Sequence, residues 1–310
     1  MRALVTRRLE GPDSLELIET PLPEPGRGQV RIKVAAAAIN PIDVLVTTGD
    51  TVRLELTPPR DQYGVGWDVA GVVDAAGPGV ELALGTPVIG LADNLGRPLR
   101  THAEYVVLGL DAIAPAPEGL DLVSASTIPL NALTALRALR RFKLSPGATV
   151  LVTGAAGGVG GFAVELAKHF GLTVIATASA KDEDYVRSLG ADHFIPRDAD
   201  LVPAVQAIVP AGVDALVDAA TVEVAAQEAV RSGGQHAHFH SGPTPHPLRG
   251  ITMHQILIHA DRDELTTLAE LAGTGVITTR VADTYPLADA ASAYKRLVEG
   301  GLRGRLVLTP

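Results

Sequence analysis

The residues with the clearest chemical meaning form a glycine-rich segment in the middle of the chain, LVTGAAGGVGG at residues 151–161. The segment follows a predicted strand and opens a predicted helix, which is the context in which such a turn binds a dinucleotide. Gly157 lets the backbone approach a pyrophosphate, Gly160 allows close helix–strand packing, and the helix N-terminus offers free N–H groups. Because Ala155 replaces the first glycine of the usual pattern, a turn that only packs the helix is the alternative. The predicted cofactor residues of this turn are Gly154, Ala155, Ala156, Gly157, Gly158, Val159 and Gly160.

Other enzyme classes with similar motifs are excluded by what the sequence lacks. No Gly-Lys-Ser/Thr closes the turn, so it is not a triphosphate-binding loop. Short-chain dehydrogenases share the TGxxxGxG pattern but need a Tyr-x-x-x-Lys pair, and none of the five tyrosines has a lysine four residues on. No Gly-x-Ser-x-Gly segment is present, so a serine hydrolase is not expected.

The end of the second predicted strand of this region bears on which nicotinamide cofactor is bound. An NAD site usually places Asp or Glu there to bind the ribose 2′-hydroxyl, whereas this strand ends in TASAK at residues 177–181. Ser179 and Lys181 can meet a 2′-phosphate, and Arg197 after the third strand can add a second positive charge. The pattern therefore favours NADPH over NADH. The alternative is that Lys181 is an ordinary solvated lysine.

Three histidines in QHAHFH, residues 235–240, are a candidate metal site because alternate residues of a strand share one face. Imidazole nitrogens so placed can bind zinc. The strand is expected inside a parallel sheet that helices cover on both faces, so His236 and His238 are expected to face helices. His240 stands at the carboxyl end of the strand, where cofactors bind, and is a candidate cofactor residue. No metal is expected to bind.

The elements that must position these residues divide the chain into regions of different pattern. Residues 1–118 contain short alternating segments broken by Gly and Pro, which predict an antiparallel, barrel-like unit. Residues 120–260 alternate predicted strands and helices, which predicts a parallel, doubly wound sheet with right-handed crossovers. In that region strands are expected at residues 149–153, 173–178, 193–195, 213–219 and 235–240, and helices at residues 158–170, 182–189, 201–209 and 222–231.

Composition limits the class of protein. Of 310 residues, 46% are hydrophobic and 20% are charged, which is ordinary globular composition with room for two domains. The net charge of −9 argues against a nucleic-acid partner and against binding to an anionic membrane. There are no cysteines, so disulfides, thiolate zinc sites and cysteine nucleophiles are excluded. With neither a signal-peptide pattern nor an apolar run of membrane-spanning length, a cytoplasmic protein is expected.

Several segments, in the same order along the chain, together resemble one family. They are AINPID at residues 38–43, GWDVAGVV at 66–73, HAEYVV at 102–107, LNALTA at 130–135, AAGGVG at 155–160, SLGAD at 188–192 and GLRGRLVL at 301–308. On these segments the chain resembles the zinc-free branch of the medium-chain dehydrogenases/reductases, the quinone oxidoreductase and zeta-crystallin group.

The resemblance implies an α/β fold in which a doubly wound Rossmann domain is inserted in a split, mostly β, GroES-like catalytic domain. We expect the catalytic domain at residues 1–119 and 262–310, and the NADP-binding domain at residues 120–261. This organisation agrees with the change of pattern near residue 120.

The resemblance also assigns roles to residues outside the glycine turn. It places Asn40 beside the nicotinamide ribose and makes Thr134 a nicotinamide contact. Asn40, Asp43 and, more weakly, Tyr63 are the candidate catalytic residues, and Arg305 in the C-terminal strand is a further candidate cofactor residue. The alternatives are turn or helix-capping chemistry for Asn40 and Asp43, and a bond to a helix carbonyl for Thr134. Tyr63 and Trp67 can line an apolar pocket, with a core role as the alternative for Trp67.

One departure from the zinc alcohol dehydrogenases bears on the reaction. Those enzymes carry His-Glu where this sequence has Trp67 and Asp68. Without a Lewis acid an alkoxide is hard to stabilise, so alcohol oxidation is not expected. The predicted activity is reduction by NADPH of a quinone or another activated carbonyl or alkene acceptor. The alternatives are an enoyl-thioester or enone reductase of secondary metabolism, and a non-catalytic NADPH-binding protein.

A homodimer is the assembly that the resemblance implies, with two cofactor domains paired through their edge strands. The matching segment is QILIH at residues 255–259, with Gln255, Leu257 and His259 on one face. An unpaired apolar edge strand would favour aggregation, and antiparallel pairing with a second copy closes it. The alternative is that the loop at residues 242–250 covers the strand.

Overall fold

A computed structural model of the chain describes residues 1–239 and 244–310. In these parts the strands are β1 (Arg2–Thr6), β2 (Leu15–Glu19), β3 (Gln29–Ala38), β4 (Tyr63–Gly64), β5 (Asp68–Ala76), β6 (Pro87–Leu91), β7 (Tyr105–Gly109), β8 (Ile113–Pro115), β9 (Thr149–Thr153), β10 (Thr173–Ala178), β11 (His193–Pro196), β12 (Val213–Asp218), β13 (Val230–His238), β14 (Thr252–Gln255), β15 (Val281–Pro286) and β16 (Arg305–Thr309). The α-helices are α1 (Pro41–Thr47), α2 (Asp50–Arg53), α3 (Leu122–Ala125), α4 (Pro129–Phe142), α5 (Gly158–His169), α6 (Glu183–Ser188), α7 (Leu201–Ile208), α8 (Val224–Gln227), α9 (Arg262–Gly273) and α10 (Ala290–Glu299).

The first of two compact units is mostly β and includes both ends of the chain: Met1–Leu130, His259–Gly275 and Thr279–Pro310. Its larger sheet runs in the order β15-β16-β3-β5-β6-β8, with β7 also paired to β3, and its smaller sheet runs β2-β1-β4. Alternation of buried and exposed side chains explains the orientation of β3. Val30, Ile32 and Val34 are buried, whereas Lys33, which lies between Ile32 and Val34, is exposed. The unit is therefore the split, mostly β domain that the sequence predicts.

The second unit comprises Asn131–Ile258 and Val276–Thr278. Its six strands are parallel and run in the order β11-β10-β9-β12-β13-β14, the strand order of dinucleotide-binding doubly wound sheets. The apolar run of β9 is fully buried, as expected for a strand covered on both faces. The order reverses between β9 and β12, so the carboxyl ends of these two strands mark the place where such sheets bind ligands. The predicted fold class is confirmed.

Helix α4 is the largest element that the sequence pattern did not reveal. Most of its apolar side chains are buried, while Arg140 and Arg141 in its last turn are exposed. The domain limits expected after residues 119 and 261 stay predictions, which limited proteolysis can test.

Two predicted elements are wrong in their extent. The helix expected at residues 222–231 is reduced to the single turn α8, because Val230 pairs with Val213 and the chain is already extended there. The strand expected at residues 235–240 begins at Val230 and ends at His238. His240, the candidate cofactor residue of that strand, lies outside the described residues.

The predicted edge strand at residues 255–259 is also corrected. Strand β14 ends at Gln255, and the following residues are irregular apart from a hydrogen bond of 3.0 Å from Ile256 N to His238 O. The predicted alternation of faces survives, because Ile256 is buried and Leu257 is 64% exposed. Within the covering loop proposed for residues 242–250, the first two residues lie outside the described chain.

Candidate functional site

The glycine turn joins β9 to α5 in the second unit. Ala155 N donates to Thr177 O at 2.9 Å, which ties the turn to β10, and Gly154 adopts a left-handed φ of +62°. A Cβ on Gly160 would lie 2.2 Å from the carbonyl oxygen of Gly154, so only glycine lets α5 pack this closely on the turn. The close approach fits the predicted role of Gly160.

The N-terminus of α5 is open to an anion. Gly157 is the N-cap, and no side chain in the described part of the chain caps this helix. A Cβ on Gly157 would lie 3.2 Å from Gly154 O, which leaves little room for any larger residue. The first-turn N–H groups of Gly158 and Val159, and the positive end of the helix dipole, can therefore face phosphate oxygens. The turn fits the pyrophosphate of a dinucleotide.

The residues expected to select the cofactor lie at the carboxyl ends of β10 and β11. Ser179 follows β10 directly, and Lys181 and Arg197 are exposed. Arg197 N donates to Ala178 O at 2.7 Å, which fixes the start of the Arg197 loop beside the end of β10. The first acid after the strand, Asp182, is buried. The two cations therefore follow neighbouring parallel strands.

Asp218, at the carboxyl end of β12, organises the other side of this edge. Its Oδ1 accepts the Thr153 hydroxyl at 2.6 Å and Val222 N at 3.0 Å, and its Oδ2 accepts Glu223 N at 2.7 Å. Burial alone would raise the pKa of Asp218, but His236 and these donors outweigh it and hold the pKa below its usual value. Asp218 thus joins β9 to β12 where the strand order reverses.

The loop that Asp218 holds is strained. Thr221 and Glu223 have φ of +54° and +58°, a region that β-branched Thr adopts only at a cost. Gly154 packs against this loop, since a Cβ there would lie 3.2 Å from Ala220 N. Backbone strain of this kind persists only where surrounding contacts impose it. The sequence analysis expected a helix from residue 222 and did not predict this loop. The acid that ends the apolar strand is the signal that could have indicated it.

The candidate histidines of β13 are buried inside the second unit. The rings of His236 and His238 lie 6.1 Å apart on one face of the strand. His236 Nε2 is 3.7 Å from Asp218 Oδ2, which is beyond hydrogen-bond distance. In residues 1–239 and 244–310 no three His, Asp or Glu side chains are grouped to hold a metal ion.

In the first unit, Asn40 and Asp43 form the N-terminus of α1. Asn40 N donates to Asp43 Oδ2 at 2.8 Å, the reciprocal arrangement of a capping box. Asp43 Oδ1 accepts Gly66 N at 2.9 Å. Both side chains are fully buried, and both carboxylate oxygens of Asp43 receive backbone N–H groups. This geometry is that of a helix cap, which was the alternative to a catalytic role for Asp43. A catalytic role for Asp43 stays a prediction.

Asn40 also belongs to a buried polar network that the sequence did not predict. Its Nδ2 donates to Asp68 Oδ2 at 2.9 Å, and its Oδ1 accepts Arg305 Nη2 at 2.5 Å. Arg305 Nη2 also donates to Ile39 O, and Leu130 N donates to Asp68 Oδ1 at 2.6 Å. Burial raises the pKa of Asp68 to about 7, although its hydrogen bond from Asn40 and the charge of Arg305 oppose the rise.

The remaining predicted residues are also buried. The Tyr63 hydroxyl accepts Arg60 N at 2.7 Å and donates to Pro58 O at 3.4 Å, while its ring packs in the core of the first unit. Thr134 lies within α4 and is 5% exposed. Their proposed roles toward a cofactor or acceptor stay predictions.

The segment at residues 100–102 packs against the start of β5. A Cβ on Gly66 would lie 2.3 Å from Thr101 Oγ1, and His102 Nδ1 lies 2.8 Å from the Tyr294 hydroxyl. Burial lowers the pKa of His102 and raises that of Tyr294 well above its usual value. The pair is therefore held neutral near pH 7.

Comparison with known proteins decides the family. Residues 26–118 match the alcohol dehydrogenase GroES-like domain, and residues 158–260 match the domain described as zinc-binding dehydrogenase. The chain is 30% identical to the NADPH-dependent alkenal/one oxidoreductase of Arabidopsis thaliana chloroplasts, over 100% of this chain and 80% of that protein. The chain belongs to the quinone oxidoreductase group of the medium-chain dehydrogenases/reductases. The family resemblance drawn from the sequence is confirmed.

Solved structures of medium-chain dehydrogenases/reductases superpose on the whole chain. The quinone oxidoreductase of Coxiella burnetii is 29% identical with a TM-score of 0.86, covering 100% of this chain and 99% of that one. A mycobacterial protein complexed with NADPH is 26% identical with a TM-score of 0.85, covering 100% of both chains. A nicotinamide cofactor therefore fits both the family and the glycine turn.

A second relative of this medium-chain dehydrogenase/reductase family member matches only part of the chain. The pikromycin polyketide synthase component PikAII of Streptomyces venezuelae is 42% identical over 177 residues, which are 56% of this chain and 4% of that protein.

Among the described helices, none has the length and apolar character needed to cross a bilayer.

Proposed function

We propose that this oxidoreductase uses NADPH to reduce a quinone or another activated carbonyl or alkene acceptor, and that it needs no zinc. The observation that carries the proposal is the edge of the parallel sheet, where an open glycine turn is followed by Ser179, Lys181 and Arg197 instead of an acid at the strand tip. When bound, the nicotinamide supplies the hydride. The chain's own residues bind the phosphates, orient the ring and exclude water. A cytoplasmic location stays a prediction.

Selection of NADPH is assigned to the cations after β10 and β11. Lys181→Ala is expected to weaken NADPH binding by about 1.5–3 kcal/mol, the scale of a hydrogen bond to a charged group, and to leave NADH binding unchanged. Arg187→Ala is a matched control, because Arg187 is exposed on α6 and pairs with Glu183 at 2.8 Å. Calorimetric titration with both cofactors measures the effect. Equal losses for NADPH and NADH in the Lys181 variant would contradict the assignment.

Independence from zinc is supported by the chemistry of the side chains present. The sequence has no cysteine, and Trp67 stands where zinc-dependent relatives carry histidine. Asn40, Asp68 and Arg305 hydrogen-bond or charge-pair with one another, which leaves no ready set of ligands among them. Dialysis against a chelator should leave NADPH oxidation unchanged. An activity that is lost on dialysis and restored by zinc would refute this part of the proposal.

Enone reduction is a second candidate activity. It is favoured by the full-length similarity to an NADPH-dependent alkenal/one oxidoreductase, and enoyl-thioester reduction is favoured by the partial similarity to a polyketide synthase. Steady-state NADPH oxidation with quinones, enones and enoyl thioesters separates these activities by kcat/KM. NADPH binding without turnover of any acceptor would instead favour a non-catalytic NADPH-binding protein.

We further propose a homodimer formed at the β14 edge of the parallel sheet. Strand β14 is the last strand of its sheet, and Leu257 just beyond it is 64% exposed. A second copy on this edge would cover both features. Sedimentation should give twice the mass of one chain, and Leu257→Asp should give monomers. Leu84→Asp, at a residue 66% exposed in the first unit, is the control that should stay dimeric.

A further inference from the structure

The first unit contains a buried arginine whose donors are mostly unused. Arg100 is 1% exposed, and its Nη2 donates to the carbonyl oxygen of Ala92. Its Nε and Nη1 have no hydrogen-bond partner among the described residues, and no carboxylate there forms an ion pair with it. The charges of Asp43 and Asp93 act on Arg100 from beyond ion-pair distance. Its Nε and Nη1 are nevertheless buried without hydrogen bonds in the described part of the chain, which is costly, so their retention calls for a reason.

Two further donors lie unused in the same place. The Arg100 guanidinium stacks on the Trp67 ring at 4.7 Å, and Ala92 bridges the two residues because its N donates to Trp67 O at 2.8 Å. Within the described chain, the Trp67 indole N–H and the Thr101 hydroxyl are also buried without partners. We call Trp67, Arg100 and Thr101 the donor cluster.

The other buried arginine of this unit shows what a structural arrangement looks like. Arg305 donates through Nη2 to the Asn40 side chain and to Ile39 O and lies near the charge of Asp68, and Nε is its only fully buried nitrogen without a partner in the described residues. In the donor cluster the guanidinium bonds only the Ala92 carbonyl oxygen, and no side-chain acceptor in the described residues reaches its Nε or Nη1. A set of donors without acceptors matches an oxyanion, and a guanidinium fork matches the two oxygens of a carboxylate.

We propose that the donor cluster binds the carboxylate of an α,β-unsaturated acid, which would make such acids acceptors for this enzyme. The proposal rests on the proposed reductase function and names its substrate class. A carboxylate would bring a negative charge into direct contact with the guanidinium, which a neutral carbonyl cannot do. Burial lowers the pKa of Arg100 to about 10, so the guanidinium is still protonated near pH 7.

The cluster also suits the reaction electrostatically. Hydride added to the β-carbon of such an acid, with a proton from water at the α-carbon, reduces the C=C bond and oxidises the nicotinamide by two electrons. Negative charge develops toward the carboxylate as the hydride arrives, where the guanidinium can stabilise it. Because the Trp67 ring stacks on the guanidinium, a ligand bound by the donor cluster changes the surroundings of the indole.

This contact gives a direct readout of binding, since Trp67 is the single tryptophan of the chain. The full-length protein is titrated with crotonate and with crotonamide at constant ionic strength, and Trp67 emission is followed. Crotonate should change the emission saturably, with a Kd at least about tenfold below that of crotonamide. Arg100→Met should weaken crotonate binding about ten- to a hundredfold, the range of hydrogen bonds to charged groups. Arg100→Lys should retain part of the affinity.

Arg97→Met is the matched control. Arg97 lies three positions away and bonds Val107 O at 2.6 Å, so the variant removes one charge outside the donor cluster and should leave crotonate binding unchanged. Equal affinities of the wild-type protein for crotonate and crotonamide, or equal losses in the Arg97 and Arg100 variants, would overturn the proposal without relying on a variant that fails to fold.

The titration requires neither NADPH nor turnover, so the two proposals can fail separately. Crotonate binding that depends on Arg100, without NADPH oxidation by any acceptor, supports the donor cluster and contradicts the reductase function. NADPH oxidation by a quinone without selective crotonate binding contradicts the donor cluster and leaves the reductase function standing.

Discussion

Two buried aspartates, one in each unit, respond to burial in opposite ways. Asp68 begins β5 and is fully buried, and its pKa is raised to about 7. Asp218 ends β12 and is 2% exposed, and its pKa is lowered. Both carboxylates lose their hydration, which by itself favours the neutral form.

The difference lies in the donors that each carboxylate receives. Asp218 accepts three hydrogen bonds, from a hydroxyl and two backbone N–H groups, and has His236 nearby. Asp68 accepts two hydrogen bonds, from Asn40 and Leu130. The charge of Arg305 lowers the pKa of Asp68, and the negative charge of Asp43 raises it. Burial therefore raises the pKa of both carboxylates, and the number of donors that converge on each one decides whether the net shift is upward or downward.

Removing Arg305 should have the largest effect on this comparison. Arg305→Met leaves Asp68 and Asn40 buried without their cationic partner, and should destabilise the first unit by about 3–5 kcal/mol. Urea unfolding followed by Trp67 emission reports on this unit. Arg2→Met is the control, because Arg2 pairs with Glu104 at 2.8 Å on the surface of the same unit and its loss should cost less than about 1 kcal/mol. If the Arg305 variant loses no more unfolding free energy than the control variant, the network contributes little to stability.

The pH dependence of stability should have opposite signs for the two aspartates. Asp68 has a folded pKa above its unfolded value near 3.9, so its contribution is present at low pH and is lost, by on the order of 2–4 kcal/mol, as pH rises from 4 through 7. Asp218 has a depressed pKa, so its contribution is present above pH 4 and is lost as pH falls. Unfolding across this range, compared with Asp68→Asn and Asp218→Asn, isolates each group. Curves of the same sign for both would refute the comparison.

Asp218→Asn should also act on the cofactor edge of the sheet. One carboxylate oxygen becomes a donor facing a backbone N–H, which should cost about 1–3 kcal/mol and loosen the loop that packs on Gly154. NADPH affinity should fall with it. Asp214→Asn is the control on the same strand, since Asp214 bonds Thr149 N at the opposite end of β12. An equal loss of NADPH affinity in the Asp214 variant would point to general destabilisation.

The smallest effect is expected from relaxing the strained loop. Thr221→Gly removes a left-handed β-branched residue and should raise stability by up to about 1 kcal/mol, because the relieved strain of about 1–2 kcal/mol is partly offset by the entropy of glycine. Lys143→Gly, at a φ of +49° after α4, should give a similar gain without touching the loop. NADPH affinity should change only in the Thr221 variant. A drop in stability at Thr221 would mean that its side chain makes a compensating contact.

The glycine turn and the sheet around it were predictable because their determinants are local. The turn residues lie within seven positions of one another, and the strand–helix alternation is written in the period of the apolar residues. The capping pair Asn40 and Asp43 is likewise local, three residues apart. Hydrogen bonds and packing between such near neighbours depend little on the rest of the chain.

The tertiary structure alone decided the rest of the candidate site. Asn40 meets Asp68 and Arg305 from 28 and 265 residues away, and the donors of Asp218 come from both β9 and its own loop. Pairing between distant residues also explains why the helix expected at residues 222–231 is shorter than predicted. Val230 pairs with Val213 in the sheet, so the chain is extended there. The sequence determines which residues can be buried, donate or accept. Which donors converge on a given carboxylate depends on segments that only folding brings together, and that convergence sets the opposite pKa shifts of Asp68 and Asp218.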